Sequence, residues 1–103
     1  MGSNAELVFS PALELSQRLH ARELSARELM QATLAQIARV NPRVNAIVAR
    51  LDDAQCLALA DAADARLARG EIVGALHGRP IAIKDLQPAV GFPFTRGSPL
   101  FAG

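Results

Sequence analysis

Apolar and polar positions alternate in two regimes along the chain. From Leu13 to about Val40 the apolar residues recur every three or four positions, whereas from Gly70 onward they fall in short runs between glycines and prolines. Ser10-Pro11 reads as an N-cap with proline at the first helical position, and Leu13, Leu15 and Leu19 supply the stripe of a helix over about 11–21. Ser25 and Glu28 form an S-x-x-E capping box, with Leu24 and Leu29 placed as a hydrophobic staple. They start a second helix over 26–41, in which Leu29, Met30, Leu34, Ile37 and Val40 share a face. Asn41-Pro42 is expected to stop it, because proline disfavours helix for the residue before it. The segment "VNAIVARL" predicts a short buried strand over about 45–51. Asp52 or Asp53 then caps an alanine-rich helix over 53–69, with Cys56, Leu59, Ala60, Ala63 and Leu67 on one face and Gly70 as its stop. Pro80-Ile81-Ala82-Ile83-Lys84 predicts a second strand over 80–84, with proline at the position where a missing ladder donor matters least. Residues 85–103 read as one long loop. So long a loop is unusual in a compact domain: either the element assignment is wrong, or the loop is functional and packs against protein outside this chain.

Charge and composition narrow the classes. The chain has 103 residues, half of them hydrophobic, and a formal net charge of +1, which fits one modest domain. Its arginines are spread along the helical segments instead of forming a stripe, so neither nucleic acid nor an anionic membrane is an expected partner. A single cysteine, Cys56, rules out an internal disulfide, and no apolar run predicts a membrane span or a secretory signal, which makes the cytoplasm the expected location. Met1-Gly2-Ser3-Asn4-Ala5 is small and polar and is set aside from the fold argument.

Most chemistry-bearing residues have a simpler reading. Gly74 and Gly78 ahead of Lys84 miss the spacing and the Ser/Thr of a phosphate-binding loop. His20 and His77 have no ligand spacing with Cys56 or a carboxylate, so no metal is expected, and no cofactor is implied. Cys56 sits on the inner face of its helix as a small hydrophobe. Phe92, Phe94 and Phe101 suit a loop folding onto a core, and Ser98, between Gly97 and Pro99, suits a turn. Lys84 is different, since it ends an apolar strand pattern at the carboxyl end, where α/β proteins place ligands. Cover there would favour a neutral amine, the form a general base needs. Spacing alone is better matched by a lysine whose ammonium snorkels out of the strand end to solvent.

The segments "GALHGRPIAIKD" and "GFPFTRGSPLFAG" resemble the surroundings of the catalytic lysine in amidase-signature enzymes, where the pattern is commonly Gly-Pro-Leu-His-Gly-x-Pro-Ile-Ala-x-Lys-Asp followed by Thr-x-Gly-Ser. Upstream, "ELSARELMQATLAQIARVNPRVNAIV" resembles the family's N-terminal helices and its Asn-Pro-x-x-Asn-Ala turn. Ala75 stands where the family usually has proline, and Arg79 occupies a variable position. The resemblance implies an α/β fold, to which this chain contributes outer helices and one or two strands. It further implies hydrolysis of carboxamides by a Ser-cisSer-Lys triad, with Lys84 as the base and Asp85, Gly78, Gly97 and Ser98 supporting the site. Both serines are then expected downstream of Gly103 in a longer chain. This piece alone would be inactive and, with unsatisfied apolar faces, would self-associate. The substrate implied for the whole enzyme is a small-molecule amide. Two alternatives remain: a protein like the A subunit of aminoacyl-tRNA amidotransferases, for which Lys-Asp-Asn would be more usual than the Lys84-Asp85-Leu86 found here, and a non-catalytic helical interaction domain.

Overall fold

The computed structural model describes residues 4–85, 87–93, 96–98 and 100, with only the backbone of residues 4 and 5. Phe94, Phe101 and the first three residues lie outside that set. Four helices follow in chain order: α1 (Asn4–Val8), α2 (Ala12–His20), α3 (Ala26–Val44) and α4 (Asp53–Ala68). The long α3 is the axis, packed against both α1 and α4.

The N-termini of the helices show why these stretches are helical. At α3 the Ser25 side chain accepts from the Glu28 amide while the Glu28 carboxylate accepts from the Ser25 amide, at 2.9 and 3.1 Å. At α4 Asp52, rather than Asp53, fills the cap, in the same reciprocal arrangement with Gln55. Ser10 behaves differently from the expected cap. Its hydroxyl donates to the Glu6 carbonyl at 2.6 Å and so closes α1, which leaves Pro11 at the cap position of α2 with no side-chain bond.

Pro42 does not stop α3, which carries it in its last turn and runs on to Val44. The helix ends instead at Asn45 in the left-handed region (φ 48°), whose amide donates to the Asn41 carbonyl at 2.7 Å. Asn41 makes this end tolerable: its side-chain amide both donates to the Ile47 carbonyl (2.9 Å) and accepts from the Ile47 amide (3.0 Å), as a strand neighbour would. A proline this near a helix end forfeits one backbone bond without a further turn behind it to disrupt.

Neither expected strand forms; among the described residues there is no strand. A strand exists only as part of a ladder, and among the described residues no backbone hydrogen bond joins 45–51 or 80–84 to another extended segment. Their apolar side chains are correspondingly open, with Val48, Ile81 and Ile83 at 68, 82 and 53 % exposure. The described part of the expected α/β architecture is therefore its helices.

The core is small and sits where α2, α3 and α4 meet: Leu15, Leu19, Leu24, Ala26, Leu29 and Ala60 are buried together, with Leu7, Met30 and Ala63 packed against them. Alanine at position 60 lets α4 approach α3 closely. Two residues expected on apolar stripes, Leu13 of α2 and Leu59 of α4, face out instead. In both helices a narrower face is enough to cover the small core.

Candidate functional site

The loop carrying Lys84 leaves α4 through Gly70 (φ 74°) and comes back to the helices at His77 and Gly78. His77 Nε2 lies 2.8 Å from the carbonyl oxygen of Ala63 in α4. A carbonyl only accepts, so Nε2 carries the hydrogen and Nδ1 is left as an acceptor in the neutral ring. Gly78 has φ 84°, and a Cβ added there would stand 3.4 Å from Ala26 Cβ and 3.7 Å from both Leu19 methyl carbons. Glycine thus serves two needs at position 78, a left-handed backbone and a close approach to the start of α3.

Beyond this docking point the chain runs outward through Pro80 to Lys84. The Arg96 amide donates to the Asp85 carbonyl at 3.1 Å, which folds the 96–97 turn back against the lysine. Arg96 (φ 54°) and Gly97 (φ 73°) are both left-handed there. Lys84, Asp85, Arg96 and Gly97 line one open hollow of about 430 Å³. Among the expected site residues, Lys84, Asp85 and Gly97 are therefore brought together. Arg96 joins them without having been singled out; its only sequence signal is its place between Thr95 and Gly97 in the quoted stretch. Gly78 lies at the helix junction instead, and Ser98 is not among the residues lining the hollow; its hydroxyl accepts from the Leu100 amide at 3.3 Å. The Lys84 side chain is exposed, so the cover expected over its amine is not provided by the described residues.

A second hollow, of about 450 Å³, lies between the α2–α3 turn and α4 and is lined in part by Arg22, Asp61 and Asp64. Its acids already have structural work. Asp61 pairs with Arg27 at 2.6 Å, and the Asp64 carboxylate accepts from the amides of Ala26 (2.7 Å) and Arg27 (3.1 Å), completing the cap of α3. Cys56 is half-buried, and its thiol lies 3.7 Å from the Leu51 carbonyl oxygen. His20 Nδ1 is 2.8 Å from the Ser16 carbonyl one turn back, and so closes on its own helix.

With the lysine hollow and its anchor in view, comparison with known proteins gives it a context. The family described as Amidase matches residues 28–103, from the first turn of α3 through the whole loop. The chain belongs to the amidase family. It is 42 % identical over 99 residues to a protein from Acidothermus cellulolyticus named as the A subunit of glutamyl-tRNA(Gln) amidotransferase, covering 96 % of this chain and 19 % of that one. It is 43 % identical over 86 residues to a Pseudomonas putida protein named Amidase, covering 84 % of this chain and 18 % of that one. A Myxococcus xanthus protein, also named as the A subunit of glutamyl-tRNA(Gln) amidotransferase, is 42 % identical over 91 residues, 88 % of this chain and 18 % of its own length. The chain thus spans about a fifth of the length of these relatives. No solved structure matches it. Among the described residues, no helix is long and apolar enough to cross a membrane.

Proposed function

We propose that this chain is the N-terminal part of a carboxamide-hydrolysing amidase, in which Lys84 is the general base of a Ser-cisSer-Lys triad. The observation that carries the reading is the position of Lys84: it is the lysine of the "HGRPIAIKD" motif inside the family-matched segment, and with Asp85, Arg96 and Gly97 it lines one hollow. In the proposed reaction the neutral amine takes the proton of a bridging serine, which takes the proton of the nucleophilic serine as its oxygen attacks the amide carbon. Both serines belong to the rest of a protein of the relatives' length. The same remainder has to cover the hollow, because an amine open to water stays an ammonium under working conditions. The 103-residue chain alone is expected to show no amide turnover.

The experiment compares Lys84→Ala and Lys84→Arg in a protein of the relatives' length, reading kcat/KM on an aryl amide with circular dichroism as the folding control. Both should lose about 10²–10⁴-fold, the usual worth of a positioned base, because a guanidinium keeps its charge and cannot accept the proton. Near-normal turnover in Lys84→Arg would overturn the base role.

A second reading, as the A subunit of an amidotransferase, is favoured by the 42 % identity over 96 % of the chain to a protein of that name. Lys84-Asp85-Leu86 speaks for the free-standing enzyme. Co-purification of a family-length protein with partner subunits, together with glutamine-dependent amidation of charged tRNA, would favour the amidotransferase.

A further inference from the structure

Beyond the Glu71–Arg66 pair at the end of α4, the path to Lys84 returns to that helix through the ring of His77. His77 is partly buried, and its ring reaches back over fourteen residues of sequence to the Ala63 carbonyl. A helix carbonyl has a second lone pair beyond the one used inside the helix, so the imidazole adds a bond to α4 without removing one. Immediately after it, the Gly78 backbone closes against Ala26 and Leu19, two of the most deeply buried residues. Between that point and Lys84 the chain is exposed at residues 81–84 and makes no helix or strand. The location of the amine is thus inherited from residues 77 and 78.

We propose that His77 is a positioning residue: its Nε2–H bond to Ala63 pins the base of the Lys84 segment to α4 and fixes where the lysine amine stands. The consequence for catalysis rests on the base role proposed above for Lys84, whereas the pinning itself does not. His77 touches no reacting atom in this scheme. Its effect is geometric, and displacements of about an ångström at a reacting group are enough to lower turnover by about 10²-fold.

The pinning is tested first on the full 103-residue chain without any need for activity. With Cys56 replaced by alanine, nitroxide labels at the exposed positions Ala58 and Ala82 report the distance distribution between α4 and the lysine segment by pulsed electron resonance. The distribution should be narrow in the parent and in His77→Gln, whose Nε2 amide can donate from nearly the same place, and broad in His77→Leu, which has the bulk but no donor. A broad distribution in the parent overturns the proposal, as does an unchanged one in His77→Leu. Loss of the helices in His77→Leu, by circular dichroism, also overturns it, since the ring would then serve the fold as a whole.

The kinetic arm uses a protein of the relatives' length. His77→Leu should lower kcat by about 10²-fold with KM little changed, and His77→Gln should recover most of the loss. Lys84→Ala, run alongside, separates the two ideas. Full activity in Lys84→Ala removes the base role while leaving the label result standing. An inactive Lys84→Ala beside a fully active His77→Leu removes the positioning role alone.

Discussion

Asp64 supplies what the sequence around Ser25 cannot. The first two amides of α3, on Ala26 and Arg27, have no intrahelical acceptor, and the Asp64 carboxylate takes both from 38 and 37 residues away, while Ser25 takes the third. These are charge-assisted bonds in a partly buried setting, so leaving the two amides unmatched should cost about 1–3 kcal/mol. Urea unfolding of Asp64→Ala is expected to show that loss, with Asp64→Asn, which keeps one acceptor oxygen, falling between it and the parent. A change within error in Asp64→Ala would mean that water replaces the carboxylate fully. The local half of this cap, Ser25 with Glu28, can be read from their spacing. Asp64 cannot, because nothing in the residues near it encodes where α3 will lie. The site divides in the same way. Lys84, Asp85 and Gly97 stand out in the motif, whereas Arg96 enters the hollow through a left-handed backbone turn that sequence spacing does not announce.

Among the elements, α4 has the most fully specified end. After Ala68 the Gly70 amide donates to the Leu67 carbonyl (3.0 Å) and the Glu71 amide to the Arg66 carbonyl (3.2 Å), with Gly70 left-handed between them. The Glu71 carboxylate then meets Arg69 Nε at 2.7 Å and Arg66 Nε at 3.2 Å. The hydrogen bonds from Arg69 and then Arg66 hold its pKa below the ordinary glutamate value. A depressed folded-state value means a contribution that is complete above the ordinary glutamate range and is lost as pH falls through the lower, folded value. The carboxylate is open to solvent and screened, so the effect is small. Thermal unfolding of Glu71→Gln beside the parent should show a lower midpoint at neutral pH and no difference in strong acid; a gap that persists in acid would assign it to packing. Helices with caps of this kind are legible because their signals are local. The strands expected at 45–51 and 80–84 were legible only as apolar runs, and an apolar run specifies a need for cover without naming the partner that gives it. In 45–51 the Asn41 side chain takes the backbone groups of Ile47, as a ladder partner would, while the Val48 side chain stays open.

At the scale of the whole molecule, the helices are compact and the chain is not. The radius of gyration is 15.0 Å, against about 13 Å for a closed domain of this length. The accessible surface is 7399 Å², against roughly 5,600 Å² for a monomer of this mass. Much of the excess is apolar, with Ile72, Ile81, Val90 and Leu100 each more than four-fifths exposed. Surface of this kind drives association, and the open backbone at 80–84 offers a template for pairing. Sedimentation of the purified chain is therefore expected to show concentration-dependent dimers or larger species; a monomer at every concentration, with slowly exchanging amides at Ile81 to Ile83, would contradict this. The family was legible from its motif, while the extent of the open surface was not, since it depends on what packs where. One feature of α4 also has a bearing on how the chain is made. The carbonyl of Ala63 and the carboxylate of Asp64 are neighbours in sequence, and one holds the lysine loop while the other holds the start of α3. On a chain leaving the ribosome, α3 waits for residue 64 before its first two amides are matched. The loop meets the opposite situation, because its anchor is synthesised before His77 exists. Lys84 thus leaves the ribosome after both the helix residue that anchors its loop and the histidine that reaches it.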